Sequence, residues 1–252
     1  MRSLRKNPGG FTLVELLFSM TIGSIVLLLA ASMLGTSGES YERVGANVAT
    51  EREARALITQ LSSDLSTAFY REETLIVNDT AAWPKDQLGF LCLKPEEAQD
   101  PGKAIGDVCA VIYYVSDVQI GGTTTRCLMR GFRESTATFA ALKAGQLKPL
   151  LAVDPLNPPA TDEPIAFGVV SFTALPKDRA GNPYDQAADP KIGPATLDFR
   201  MVLARRNLMG RLKTTADWDN SPKLIGNPSD AEKNQNLEIY QTSLRFGNHA
   251  KL

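Results

Sequence analysis

Histidine is almost absent from this sequence. The one copy, His249, stands close to its C-terminal end, so a Ser-His-Asp or Cys-His catalytic group would have to be built where a chain frays most readily. Cysteine is nearly as scarce, with Cys92, Cys109 and Cys127 in no zinc-type spacing. There is no Gly-rich phosphate loop and no internal repeat. Aromatic residues make up 7% of the chain, too few for a base-stacking platform, and no basic stripe marks a nucleic-acid surface. These absences argue against an enzyme. No cofactor, small-molecule substrate or nucleic-acid partner is expected.

The informative segment lies at the start. A short basic leader with Arg2, Arg5 and Lys6 runs through Gly9-Gly10 into an apolar run from Phe11 to Leu34. That run contains no Lys, Arg or Asp and a single acid, Glu15. As a helix its 24 residues span about 36 Å, enough to cross a hydrocarbon core of about 30 Å. Thirteen of them are Leu, Ile, Val or Phe. At about −0.3 to −0.6 kcal/mol each, these favour insertion by about 4 to 8 kcal/mol, whereas one central acid opposes it by about 2.5 to 3.5. Glu15 lies near the end of the run, where its cost is lower. The segment is therefore expected to insert, with the basic leader cytoplasmic and everything after Leu34 outside. An acid inside such a run marks a functional position by default. The competing reading is a secretory signal peptide cleaved around Ala30-Ala31-Ser32. Against it stand the length of the run, the interrupting Glu15, and the lack of a break before the next helical stretch.

The segment Gly10-Phe11-Thr12-Leu13-Val14-Glu15-Leu16 closely resembles the class III leader of type IV pilins and type II secretion pseudopilins. The resemblance implies that a prepilin peptidase cuts after Gly10 and methylates the new N-terminus at Phe11. It also implies that Glu15 pairs with the N-terminal amine of a neighbouring subunit in a filament. That agrees with electrostatics, since a carboxylate in low dielectric is tolerated chiefly when paired. Some pseudopilins at the extreme tip lack this acid, so its presence argues against the outermost position.

Loss of residues 1–10 removes three positive side chains and leaves 24 basic against 28 acidic residues. The 252-residue length suits one globular domain behind an anchor. Outside the cytoplasmic membrane a disulfide becomes feasible. If the apolar runs Leu88–Leu93 and Val108–Val115 form a hairpin, Cys92 faces Cys109. A second hairpin around Asp117–Gly122 would set Cys127 against Ile112 or Tyr113. The favoured pairing is thus Cys92 with Cys109, with Cys127 buried and unbridged; three reduced core thiols are the alternative. Asp178, Asn182, Asp185 and Asp189 form a loose oxygen-rich cluster that could bind calcium, but their spacing is not that of an EF-hand and a solvated loop explains them as well. No metal is expected.

From residue 35 a helical period continues through Tyr41, Val44, Val48, Ala54, Ile58, Leu61, Leu65 and Ala68, with charged residues on the other face. Gly35, Gly38 and Gly45 weaken this helix where it would leave a membrane. Beyond residue 78 short β-type runs follow: Leu88–Leu93, Val108–Val115, Thr124–Phe132, Ile165–Ala174, Leu197–Ala204 and Tyr240–Phe246. A short helix is expected over Ala137–Gly145. Irregular connections are expected over Pro149–Pro164 and over Thr214–Gln235, the latter polar and mobile. The expected organisation is a leader (1–10), a membrane or filament-core helix (11–34), an amphipathic helix (35–77) and an antiparallel β head (78–252). The fold class is α+β.

A long N-terminal helix followed by an antiparallel sheet is the pilin arrangement. Glu51–Phe69, the Tyr-bearing run Val111–Val115 and the Arg-bearing run Cys127–Arg130 further resemble J-type minor pseudopilins of type II secretion. Residues 133–165 and 205–236 match no family pattern, which leaves room for a pilin-like cassette of one bacterial lineage. The resemblance implies a minor subunit that helps prime or cap a secretion pseudopilus or related filament. Its implied partners are prepilin peptidase, other minor and major pseudopilins, and the inner membrane. Its implied place is a single-pass protein with a periplasmic head, later part of a periplasmic or surface filament. The alternative function is an adhesive or DNA-uptake minor pilin, although the acidic balance disfavours direct DNA capture.

Overall fold

A computed structural model describes residues 12–94, 106–186, 192–220 and 224–247. The chain divides into two units, Met1–Val48 and Ala49–Leu252. Helix α1, Leu13–Ser66, contributes to both. The Thr12 hydroxyl accepts the Glu15 N–H at 3.3 Å, and the Leu16 N–H donates to the Thr12 carbonyl. Threonine followed three residues later by glutamate is the spacing of a capping box. The helix runs through Gly35, Gly38 and Gly45 without interruption.

In the second unit α1 buries Ala54, Leu57, Leu61 and Leu65. Leu57 thus takes the core position expected for Ile58, which is only half-buried. The helix stops at Ser66, short of the expected boundary at 77, and strands β1 (Ala68–Phe69) and β2 (Leu75–Val77) follow. Its last carbonyls find donors outside the helical pattern. The Ser66 and Thr67 hydroxyls donate to Ser63 and Asp64, and the Gly247 N–H donates to Leu65 at 2.9 Å. Only glycine fits at 247: its φ is +43°, and a Cβ would lie 1.7 Å from the Ala68 carbonyl oxygen.

The remaining strands are β3 (Gln87–Leu93), β4 (Val108–Ile120), β5 (Thr123–Arg133), β6 (Glu163–Phe167), β7 (Val169–Lys177), β8 (Thr196–Ala204) and β9 (Leu237–Arg245). All strand pairings within the two sheets are antiparallel. One sheet has the order β1-β3-β4-β5-β6, with β2 also on β3; the other has the order β7-β8-β9. Gly168 alone separates β6 from β7, and the Asp86 N–H donates to the Phe172 carbonyl, so the sheets are joined at two places.

One core lies between α1 and both sheets, with Phe90, Val111, Tyr113, Phe172, Phe199 and Phe246 among its members. Helices α2 (Ser135–Ala144) and α3 (Leu147–Leu151) lie on the other side of the first sheet, where Leu147 and Leu151 join Leu91, Ile112 and Tyr114. A third cluster covers part of the outer face of the second sheet. Helices α4 (Arg206–Met209) and α5 (Thr215–Asn220) supply Leu208 and Trp218 to it, against Val170, Val202 and Leu237.

Two expectations need correction here. The described part of 214–235 is not an irregular connection: it holds α5 and a 3₁₀ turn at Pro228–Lys233, and Trp218 is 1% exposed with its indole N–H donating to the Thr124 carbonyl at 3.1 Å. The β4–β5 hairpin is longer than expected. Both strands continue to a two-residue turn at Gly121-Gly122, where both φ angles are positive, as a hairpin turn of the primed type requires. Cys127 therefore faces Ser116, not Ile112 or Tyr113.

Candidate functional site

The N-terminal site has two parts. Gly10 and Phe11 lie outside the described residues. Glu15 lies within them, in the first turn of α1, where its negative charge is favoured by the helix dipole. Leu13–Gly38 is long and apolar enough to span a membrane, with mean hydropathy 2.2, and its residues are exposed. Leu13, Leu27, Leu28 and Leu34 are each more than 70% exposed. So much contiguous apolar surface requires lipid or protein to cover it.

A second arrangement fixes the C-terminal part of α1 to the sheet. Asp64 projects from the buried face of the helix and its side chain is fully enclosed. It accepts the Tyr113 hydroxyl at 2.5 Å, the Arg130 Nε at 2.8 Å and the Lys94 ammonium at 2.9 Å. Burial alone would raise the pKa of this carboxyl. The bonds from Arg130, Tyr113 and Lys94 outweigh burial and hold it below the ordinary aspartate value. Burial, reinforced by the Asp64 charge, drives the Tyr113 pKa well above that of free tyrosine. The tyrosine therefore remains a donor.

The opposite face of the sheet repeats the arrangement. Tyr114, the next residue on β4, donates to Asp162 at 2.8 Å, and Arg133 from β5 pairs with the same carboxylate at 2.5 Å. Adjacent residues of a strand point to opposite faces, so two consecutive tyrosines bind two buried aspartates on the two faces of the sheet. Sequence reading singled out neither aspartate. One signal for Asp64 was available: it sits three residues after Leu61 and seven after Leu57, on the apolar stripe itself.

The cysteine register agrees with expectation, as Cys92 and Cys109 are direct cross-strand partners. The Lys94 N–H donates to the Asp107 carbonyl, which makes 94/107, and two residues further along 92/109, hydrogen-bonded pairs. Such pairs have Cα atoms about 5.5 Å apart, within the span of a disulfide. All three cysteines are buried thiols in the structure. Burial, with the Asp64 charge next, pushes the Cys92 thiol up to about 12; burial does the same to Cys127. Thiols held protonated in this way are inert as nucleophiles near neutral pH.

The oxygen-rich cluster is a self-satisfied turn. Asp178 accepts the N–H groups of Ala180 and Asn182, both at 2.8 Å, and the Asn182 side-chain amide. Asp189 lies outside the described residues. Among the described residues no group of three or more His, Cys, Asp or Glu side chains converges as a metal site would.

An apolar N-terminal helix followed by antiparallel sheets is an α+β arrangement consistent with a pilin-like fold. Residues 5–31 match the family model for the prokaryotic N-terminal methylation motif. The match supports a type IV pilin-like class III leader, of the kind processed by prepilin peptidase, and the apolar helix that begins within it at Leu13 fits membrane anchoring. No curated protein matches the chain.

Proposed function

We propose that this protein is a non-catalytic minor subunit, pseudopilin-like in role, that helps prime or cap a type II secretion pseudopilus or a related filament. The observation that supports this best is Glu15 within an exposed apolar helix, four residues after a Gly-Phe junction in a matched methylation motif. In this reading the leader stays cytoplasmic until cleavage between Gly10 and Phe11, and the β head lies in the periplasm. The bundle of N-terminal helices then covers the apolar surface that lipid covers before assembly. Inside that bundle the Glu15 carboxylate meets the Phe11 amine of a neighbour, which neutralises two charges that neither lipid nor protein would tolerate singly. The head supplies lateral contacts to other subunits. The Asp64 arrangement serves this role by tying the C-terminal part of α1 to the sheet, and the Asp162 arrangement by tying the segment before β6 to the sheet's other face.

Glu15→Val tests the pairing role. The variant should insert and be cleaved as the parent chain is, because removal of the acid only makes insertion easier. It should be lost from the filament fraction recovered by shearing and sedimentation. Normal recovery of the variant in that fraction would refute the pairing role.

A further inference from the structure

Among the described residues the first sheet is covered on both faces, and the second is not. Opposite α1, the register of β7, β8 and β9 sets out three open rows: Lys177–Thr196–Arg245, Leu175–Asp198–Ser243 and Thr173–Arg200–Gln241. None of these nine residues is buried, and the packed segment around Trp218 ends one row short of them, at Val202 and Ile239. Leu175, at the edge of the middle row, is 51% exposed.

The charges of this face are not balanced internally. Asp198 is engaged by Lys177 at 2.5 Å and by Ser243. Asp178, at the rim, is engaged by its own turn. Arg179, Arg200 and Arg245 make no ion pair with any described residue. Elsewhere in the head Arg126, Arg130, Arg133 and Arg205 each have a carboxylate partner. Arg179 and Arg245 also line an open recess of about 750 Å³ at the end of this face, together with Thr196, Gly181 and Gly247. Guanidinium groups are suited to two-pronged recognition of carboxylates.

From this we infer a docking surface: the open face of β7-β8-β9 receives the acidic face of a neighbouring subunit's head, whose carboxylates pair with Arg179, Arg200 and Arg245. Two observations select protein over a phosphate polymer. Asp178 and Asp198 lie within the patch and repel a continuous polyanion, and Leu175 offers apolar contact that a phosphate backbone cannot use. A cationic face on a chain with an acidic balance is also the complement that head-to-tail subunit contacts need. The inference rests on the assembly role proposed above.

The test uses the full chain in cells that assemble the filament, with a photo-crosslinking benzoylphenylalanine in place of Leu175. Irradiation should join it to an Asp- or Glu-rich peptide of a protein that carries the same class of leader, identified by mass spectrometry. Arg200→Glu combined with Arg245→Glu should lower the yield about tenfold or more, with thermal unfolding and leader cleavage unchanged. A yield indifferent to this charge reversal overturns the inference. So do crosslinks to nucleic acid or polysaccharide, and so does the absence of any crosslink in a chain still recovered with the filament. Failure of the unmodified chain to enter any filament would instead overturn the assembly role, and this docking surface with it.

Discussion

Replacing Asp64 should loosen the grip of α1 on the head more than any exposed change on the same helix. In Asp64→Ala the Tyr113 hydroxyl, the Arg130 guanidinium and the Lys94 ammonium lose their common acceptor. The two cations are only 14% exposed, so water replaces the carboxylate poorly. Breaking a buried ion pair from one side costs about 3 to 5 kcal/mol. For a head of this size, at about 2 to 4 °C per kcal/mol, the unfolding midpoint should fall by about 6 to 20 °C. The control is Arg55→Ala. It breaks the Glu51–Arg55 pair, whose side chains are 49% and 77% exposed, and should change stability by no more than about 0.5 kcal/mol. The assay is thermal unfolding of the full chain in detergent, followed by near-ultraviolet circular dichroism. The pH dependence has a defined sign. Since the folded pKa of Asp64 lies below the ordinary value, its stabilisation is present above about pH 4 and is lost as pH falls through the depressed folded pKa. The parent should therefore lose stability in acid faster than Asp64→Asn. Equal midpoints for Asp64→Ala and Arg55→Ala, or parallel acid profiles for parent and Asp64→Asn, would refute the reasoning.

Two further outcomes follow from the backbone. Protein folded in an oxidising compartment should carry a Cys92–Cys109 bridge, seen as an intact mass two hydrogens lighter and one peptide pair after digestion. Oxidant added to the folded, reduced chain should bridge it slowly, because the Cys92 thiol is buried and pushed up to about 12; a bridge to Cys127 would contradict the register. Gly247→Ala should lower stability by about 1 to 3 kcal/mol in the same unfolding assay, since the new Cβ would meet the Ala68 carbonyl at the end of α1, and an unchanged midpoint would count against that closure.

Much of this architecture is legible in the sequence. The apolar run and the strand positions follow from local hydrophobic pattern, the Cys92–Cys109 register from the hairpin that this pattern implies, and the leader from its resemblance to prepilin leaders. The misreadings share a cause, which is that local pattern says little about what a residue meets across the fold. The helical period reads on past Ser66 because Ala68 continues it, yet β1 is drawn into the sheet by β3. Asp117–Ile120 reads as a loop by composition, but it is held as strand by Arg126 pairing with Asp117 at 2.7 Å and by a turn that needs only two glycines. The 214–235 segment reads as polar and irregular because its buried residues, Trp218, Ile225 and Ala231, are scattered among exposed polar ones. Asp64 was invisible for the opposite reason: a charge on an apolar stripe reads as an interruption until its three donors, from β4, β5 and the residue after β3, are brought together.

The most direct measurement is mass spectrometry of the N-terminal peptide of the chain purified from its native membrane. The account predicts a peptide that begins at Phe11, one methyl group heavier than the unmodified sequence, with residues 1–10 absent. A mature chain that begins near Met33, or one that keeps its leader in cells with active prepilin peptidase, would contradict it.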